Sequence, residues 1–173
     1  MAHVKTTYKF AIVILVGSLI FLADLFELAN PFVNEIILFI ISIFKASYFI
    51  RTVFHQIKET SKKDFYFREF MSFVVVSILL VIVSYSIDYY CLFRIDPDAF
   101  SGLNKSNIGT ELVAFFYYSI SVFTTAGFGD VRPHLTTAQI LVSTELMIAY
   151  FFTILVLANI LLLRESFNTQ KMK

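Results

Sequence analysis

A single cysteine, Cys91, stands in 173 residues, which excludes an intrachain disulfide and any cysteine-based zinc site made by one chain alone. Its expected role is to fill space. Charge is equally sparse: 14 Lys and Arg against 13 Asp and Glu leave a formal net charge of +1, so there is no electrostatic footprint for gripping nucleic acid, and no such partner is expected. No group of His, Cys or carboxylates has catalytic or metal-ligating spacing, so nothing supports an enzyme or an organic cofactor. The basic start MAHVKTTYKF leads into an apolar run, but Asp24 and Glu27 follow where a small-residue cleavage site would stand, and the segment reads as a retained first helix. Internal repeats and low-complexity stretches are absent.

What fills the chain instead is apolar. Apolar residues make up 58% of it, with 21 Phe and 9 Tyr, above the roughly 45–50% of soluble domains. Lipid is the expected solvent. Four stretches approach the about 20 apolar residues needed to cross roughly 30 Å of hydrocarbon: Tyr8–Leu28, Phe32–Ile50, Met71–Phe93 and Leu135–Leu163. The third has no charge between Met71 and Ile87. The second is interrupted by Lys45, which is expected to snorkel to the interface, a helix lying partly in the interface being the alternative. The connection between the first two stretches holds Asp24, Glu27 and Glu35 and no Lys or Arg, whereas Arg51–Glu69 holds Arg51, Lys58, Lys62, Lys63 and Arg68. The positive-inside rule places that basic loop, and with it both termini, in the cytoplasm. Asn30-Pro31 makes the tight outer turn, since the residue before proline is steered away from helix. The polar segment Arg94–Gly109 is expected outside, as an exposed turret.

One apolar segment fits neither span nor loop. Thr110–Thr124 (TELVAFFYYSISVFT) would cover only about 22 Å as a helix, and Gly127-Phe128-Gly129-Asp130 then stops it. The fourth span must begin outside to end inside. The segment therefore enters the membrane and returns, which is tolerated only where the irregular backbone is buried in protein or lines a water-filled path.

Thr124-Thr125-Ala126-Gly127-Phe128-Gly129-Asp130 resembles the signature filter of potassium channels, T-V-G-Y-G. The resemblance extends to Tyr117-Tyr118, to Pro133 and to the long apolar helix behind it, over roughly residues 110–163; the first two spans lie outside it. The four apolar stretches and the resemblance together imply an all-α membrane protein with four transmembrane helices, a re-entrant pore helix and a filter loop. Residues 1–69 would supply two N-terminal transmembrane helices and a cytoplasmic loop, and residues 70–173 the pore domain, with outer helix 71–93, pore helix 110–123, filter 124–130 and inner helix 135–163. Potassium ions would be held by stacked carbonyls of Thr125, Ala126, Gly127 and Phe128 with the Thr125 hydroxyl at the inner end, while Gly127 and Gly129 supply the φ > 0 conformations that aim the carbonyls one way. One chain supplies one strand, so closing the ring takes a homotetramer. The C-terminal end of the pore helix, with its partial negative charge, would face the ion.

The resemblance also assigns supporting parts. Thr124 ends the helix, and Asp130 would be clamped by the Tyr118 hydroxyl, the alternative being a solvated carboxylate at the mouth. Ser121 stands where some such channels have a glutamate behind the filter. Ala126 and Phe128 replace the usual Val and Tyr, which alters packing behind the strand and no carbonyl ligand. Glu145, at membrane depth in the fourth span, is a functional candidate by location, although a bracing bond to Ser119 or Ser121 is favoured. Ala149 takes the place of a hinge glycine and removes the cheapest bending point. Thr153, Leu157 and Leu161 form the candidate cavity and gate stripe, unless that stripe packs on the first or third span. Lys45, Arg51, His55 and Lys58 do not repeat as a voltage-sensing helix would. His134, beside the filter, is read as an ordinary loop histidine, with pH sensing as the alternative.

The expected function is passive, potassium-selective conduction across the plasma membrane, with the filter mouth extracellular and membrane lipids around the homotetramer. Rivals are a nonselective monovalent cation channel of the same fold, a non-conducting sensor or assembly subunit, and a subunit of a potassium uptake system. About ten residues follow the fourth span, so a cytoplasmic nucleotide- or calcium-binding regulatory domain is expected to be absent unless the chain is a truncation.

Overall fold

The computed structural model of the chain describes residues 31–60 and 67–171; the span expected over Tyr8–Leu28 lies outside them, as do Lys62 and Lys63 of the basic loop. The described residues form α1 (Pro31–Thr60), α2 (Phe67–Ile95), a 3-10 turn (Pro97–Ala99), β1 (Phe100–Ser101), α3 (Ile108–Phe123), β2 (Arg132–Pro133) and α4 (Thr136–Lys171). Pro31 opens α1, where its missing N–H costs nothing. The helices outrun the apolar stretches that mark them. α1 passes Ile50 by ten residues and α4 passes Leu163 by eight, because Lys, Arg, Glu and Gln are good helix formers that extend a helix beyond its apolar run. Val74–Ile95 and Thr136–Leu157 are long and apolar enough to cross a membrane.

The short helix α3 buries one face. Glu111, Phe115, Tyr118, Ser119 and Val122 are buried at the i, i+4, i+7, i+8, i+11 positions that share one side of a helix. Asn107 caps its start, accepting from Thr110 N at 2.8 Å. Against this face lies an aromatic cluster. Phe100 meets Phe115 at 5.2 Å, Tyr118 at 5.7 Å and Tyr89 at 5.6 Å, all edge-on, the arrangement ring quadrupoles favour. Phe93–Phe115 and Tyr89–Tyr118 complete it. The turret expected over Arg94–Gly109 is exposed over most of its length, but Ala99 and Phe100 are buried. Phe100 is drawn inward by ring packing, and β1 pairs with β2 in register Phe100↔Pro133 and Ser101↔Arg132. Cys91 is buried in the same cluster.

α1 packs on one side only. Leu38, Ser42, Lys45, Ala46 and Phe49 are buried, while Ile40 and Phe44 are 60% and 72% exposed. Lys45 does not snorkel. Its Nζ lies 2.5 and 2.7 Å from the Asp88 carboxylate oxygens of α2, since a buried cation needs a neutralising partner. α4 runs unbroken through Ala149, which is buried, as the loss of a hinge glycine implies. Thr153 and Leu157 are exposed, on a face shared with Tyr150 and Ile154, and so among the described residues do not pack on a neighbouring helix; the side chain of Leu161 lies outside the described ones.

Phe100 thus joins a loop to two helices. Phe100→Ala is expected to cost about 3–5 kcal/mol, as for other buried Phe truncations, read as a lower thermal midpoint in detergent; an unchanged midpoint would refute the anchoring role.

Candidate functional site

α3 ends at Phe123, and the chain must dispose of its backbone donors as it leaves the helix. Five consecutive N–H groups turn back onto the last turns of α3. Thr124 donates to Ile120 O at 2.9 Å, Thr125 to Val122 O at 2.9 Å, and Ala126 and Gly127 both to Ser121 O, at 2.9 and 3.4 Å. Phe128 N donates to Ser121 Oγ at 3.5 Å. Thr124 is spent as the C-cap, its hydroxyl donating to Ile120 O at 2.7 Å. Successive N–H groups converging on one oxygen form a nest, and here Ser121's own carbonyl fills it.

The consequence follows from peptide geometry. In a planar trans peptide the N–H of one residue and the C=O of the residue before it point in opposite directions. The carbonyls of Thr124, Thr125, Ala126 and Gly127 therefore point away from α3, and among the described residues none of them accepts a hydrogen bond. Residues 124–128 are exposed in the isolated chain. The alternation behind this is visible in the backbone: φ is +57° at Thr125, +57° at Gly127 and +77° at Gly129, with ordinary negative values between. Glycine takes such angles freely. A β-branched residue does not, so Thr125 is strained by about 1–2 kcal/mol.

The flanks hold this segment in place. Phe128 stacks on Tyr117, with ring centroids 5.8 Å apart and planes 7° from parallel. The expected Asp130–Tyr118 clamp is not seen as a hydrogen bond: the Asp130 carboxylate acts by charge on the hydroxyls of both tyrosines and by hydrogen bonding on that of Tyr117. Tyr118 is buried on the other face of α3, against Tyr89 and Phe100, a turn of about 100° that one residue makes. Arg132 Nε donates to Gly129 O at 2.7 Å. Gly102, at φ +93°, lies so close that a Cβ there would stand 1.8 Å from Asp130 O. His134 is exposed, its N–H donating to Ala99 O at 2.8 Å.

Glu145 takes the bracing role. Buried completely, it accepts from Ser119 Oγ of α3 at 2.6 Å and from Tyr89 of α2 at 2.5 Å. Ser119 also reaches Ile82 O at 3.0 Å. One carboxylate of α4 thus ties three helices together behind the carbonyl segment. Ser121 does not join it; its hydroxyl serves Phe128 N instead. Sequence reasoning missed Asp88 and Tyr89. The available signal was that Lys45 and Asp88 are opposite charges inside neighbouring apolar stretches.

A family model described as an ion channel matches residues 74–163, just over half of the chain, and the chain belongs to this family of potassium-channel pore domains. It is also similar to Two-pore potassium channel 4 of Arabidopsis thaliana, at 34% identity over 93 residues that cover 51% of this chain and 30% of that relative. No solved structure matches. The chain is accordingly a membrane protein of channel type, and family membership points away from an enzyme.

Removing the brace tests it. Glu145→Ala leaves the buried Tyr89 hydroxyl without an acceptor, at about 1–3 kcal/mol, and opens a void besides. Glu145→Gln keeps one acceptor oxygen and is expected to lose less. Thermal midpoints in detergent should fall in the order parent, Gln, Ala; two variants as stable as the parent would exclude bracing.

Proposed function

We propose that the chain is one subunit of a homotetrameric, potassium-selective channel that conducts passively, with potassium ions held by residues 125–129. The observation that carries this reading is the one-sidedness of residues 124–128: every N–H is satisfied by α3 and the carbonyls between them are left to an opposite, open face. A monovalent cation stripped of water needs rings of neutral oxygens that bind weakly enough to release it. One chain offers one column of such oxygens, so four chains around an axis complete each ring. The exposed apolar faces of α3 and α4, with Val113, Phe116, Met147 and Tyr150, are what neighbouring subunits and lipid would cover.

In this reading α2, α3, the loop and α4 are the pore domain. α1 and the span expected over Tyr8–Leu28 complete four spans per subunit, with both termini in the cytoplasm and residue 130 at the outer mouth of a plasma-membrane pore. Thr153, Leu157 and Leu161 line the path below the filter. Thr124, Asp130, Tyr117 and Glu145 support it, with Tyr118 acting from the buried side of α3.

Liposomes containing the purified protein and loaded with potassium are expected to release it while sodium enters at no more than about a tenth of that rate, a discrimination of roughly 1.4 kcal/mol. Gly127→Asp, which puts a charged side chain on an open glycine at φ +57°, should abolish the flux. Equal sodium and potassium permeability would move the reading to a nonselective cation channel. No flux at any voltage or pH would move it to a non-conducting subunit.

A further inference from the structure

α1 lies outside the stretch that the family model matches, yet its attachment is specific. In a buried stripe that is apolar apart from Ser42 it presents the basic half of one ion pair. Lys45 Nζ meets both Asp88 oxygens and, at 3.2 Å, Ser84 Oγ, and Ser42 Oγ donates to Asp88 Oδ2 at 2.9 Å. The two side chains are 7% and 3% exposed. A cavity of about 20 Å³ adjoins the pair, room for one water, so packing does not lock it on every side. Apolar residues would attach the helix at least as firmly. What a buried pair adds is register, one seating of α1 on α2 in preference to its neighbours a turn away.

Two routes lead from this seat to residues 124–128. The first is polar: next to Asp88 on α2, Tyr89 bonds Glu145, and Glu145 bonds Ser119, two residues before the Ser121 that receives the loop's donors. The second is aromatic: one turn beyond Lys45, Phe49 packs on Phe152 of α4 at 5.4 Å, and Phe152 packs at 6.3 Å on Phe123, the last residue of α3.

We propose that Lys45 is a positioning residue for the filter. Paired with Asp88 it fixes where α1 sits on the pore domain, and that seat sets the pose of the last turn of α3 and of the carbonyls it aims. This rests on the reading of residues 124–130 as a potassium filter.

The test uses the full chain in liposomes, with Lys45→Met, Asp88→Asn and the apolar double variant Lys45→Met with Asp88→Leu. Three quantities are read: potassium flux per folded tetramer, thermal midpoint, and hydrogen exchange of peptides covering 119–130. Each single variant should lower flux about five-fold or more, the lower end of ordinary coupling between sites, and speed exchange at 124–128. The double variant should recover the parent's thermal midpoint and keep the flux and exchange defects, since apolar packing restores adhesion without register. Flux and exchange equal to the parent in folded Lys45→Met would overturn the proposal. So would a double variant restored in all three, which would make the pair merely adhesive. If the parent itself passes no potassium, the filter reading fails by itself, and exchange at 124–128 decides the link: faster in Lys45→Met upholds it, unchanged removes it.

Discussion

Backbone donors that leave a helix must find acceptors, and from Thr124 to Phe128 all five find them on the last turns of α3. In water the solvent would take this burden and the segment would have many conformations. In the proposed pore, away from bulk water, each unsatisfied group is expensive, and the helix end becomes a template that dictates the backbone leaving it. The open carbonyl face is the reverse side of that template. It requires the backbone to alternate in handedness, and the strain this places on Thr125 persists because its neighbours are over-determined.

The rest of the fold keeps the template still. α3 is only 16 residues long, and its position depends on what grips its buried face. Phe115 and Tyr118 are held by ring packing, which is strong and tolerant of small shifts. Ser119 is held by a hydrogen bond to a buried carboxylate, which is directional. The combination separates adhesion from alignment: aromatic contacts keep α3 attached, and Glu145 decides its rotation. That a buried acid serves here is intelligible, because it has enough lone pairs to accept from two helices at once.

Much of this was legible in the sequence. The α3 segment announced itself by being too short to cross and too apolar for a loop, and its two glycines marked where the backbone turns left-handed. A bracing hydroxyl for Glu145, from Ser119 or Ser121, followed from a carboxylate placed in an apolar helix, and Ser119 is the one that serves. Other features were not legible, for physical reasons. Thr125 at positive φ runs against β-branched preference and is imposed by the donors around it. Phe100 sits in a polar, turn-rich stretch, and composition averages hide one ring that packs inward. Tyr117 and Tyr118 differ only in which side of α3 they face, and a helix phase set by burial is needed to tell them apart. Lys45 reads as an interruption until Asp88, over forty residues later, is brought beside it.

Gly102 carries a consequence for how the molecule tolerates change. Its Cα rests against the carbonyl of Asp130, so the loop between α2 and α3 has a fixed point within van der Waals contact of the loop between α3 and α4. Length variation in the first loop is then not free along its whole extent. Residues 103–106, beyond the contact and before the cap at Asn107, are mostly exposed and form a hinge-like bight that can lengthen outward. Residues 96–102 are tethered at both ends, by Leu92 O to Asp96 N and by β1 to β2, and an added residue there has nowhere to go but into the backbone of Asp130. The surface of this protein is therefore plastic on one side of a single glycine and rigid on the other.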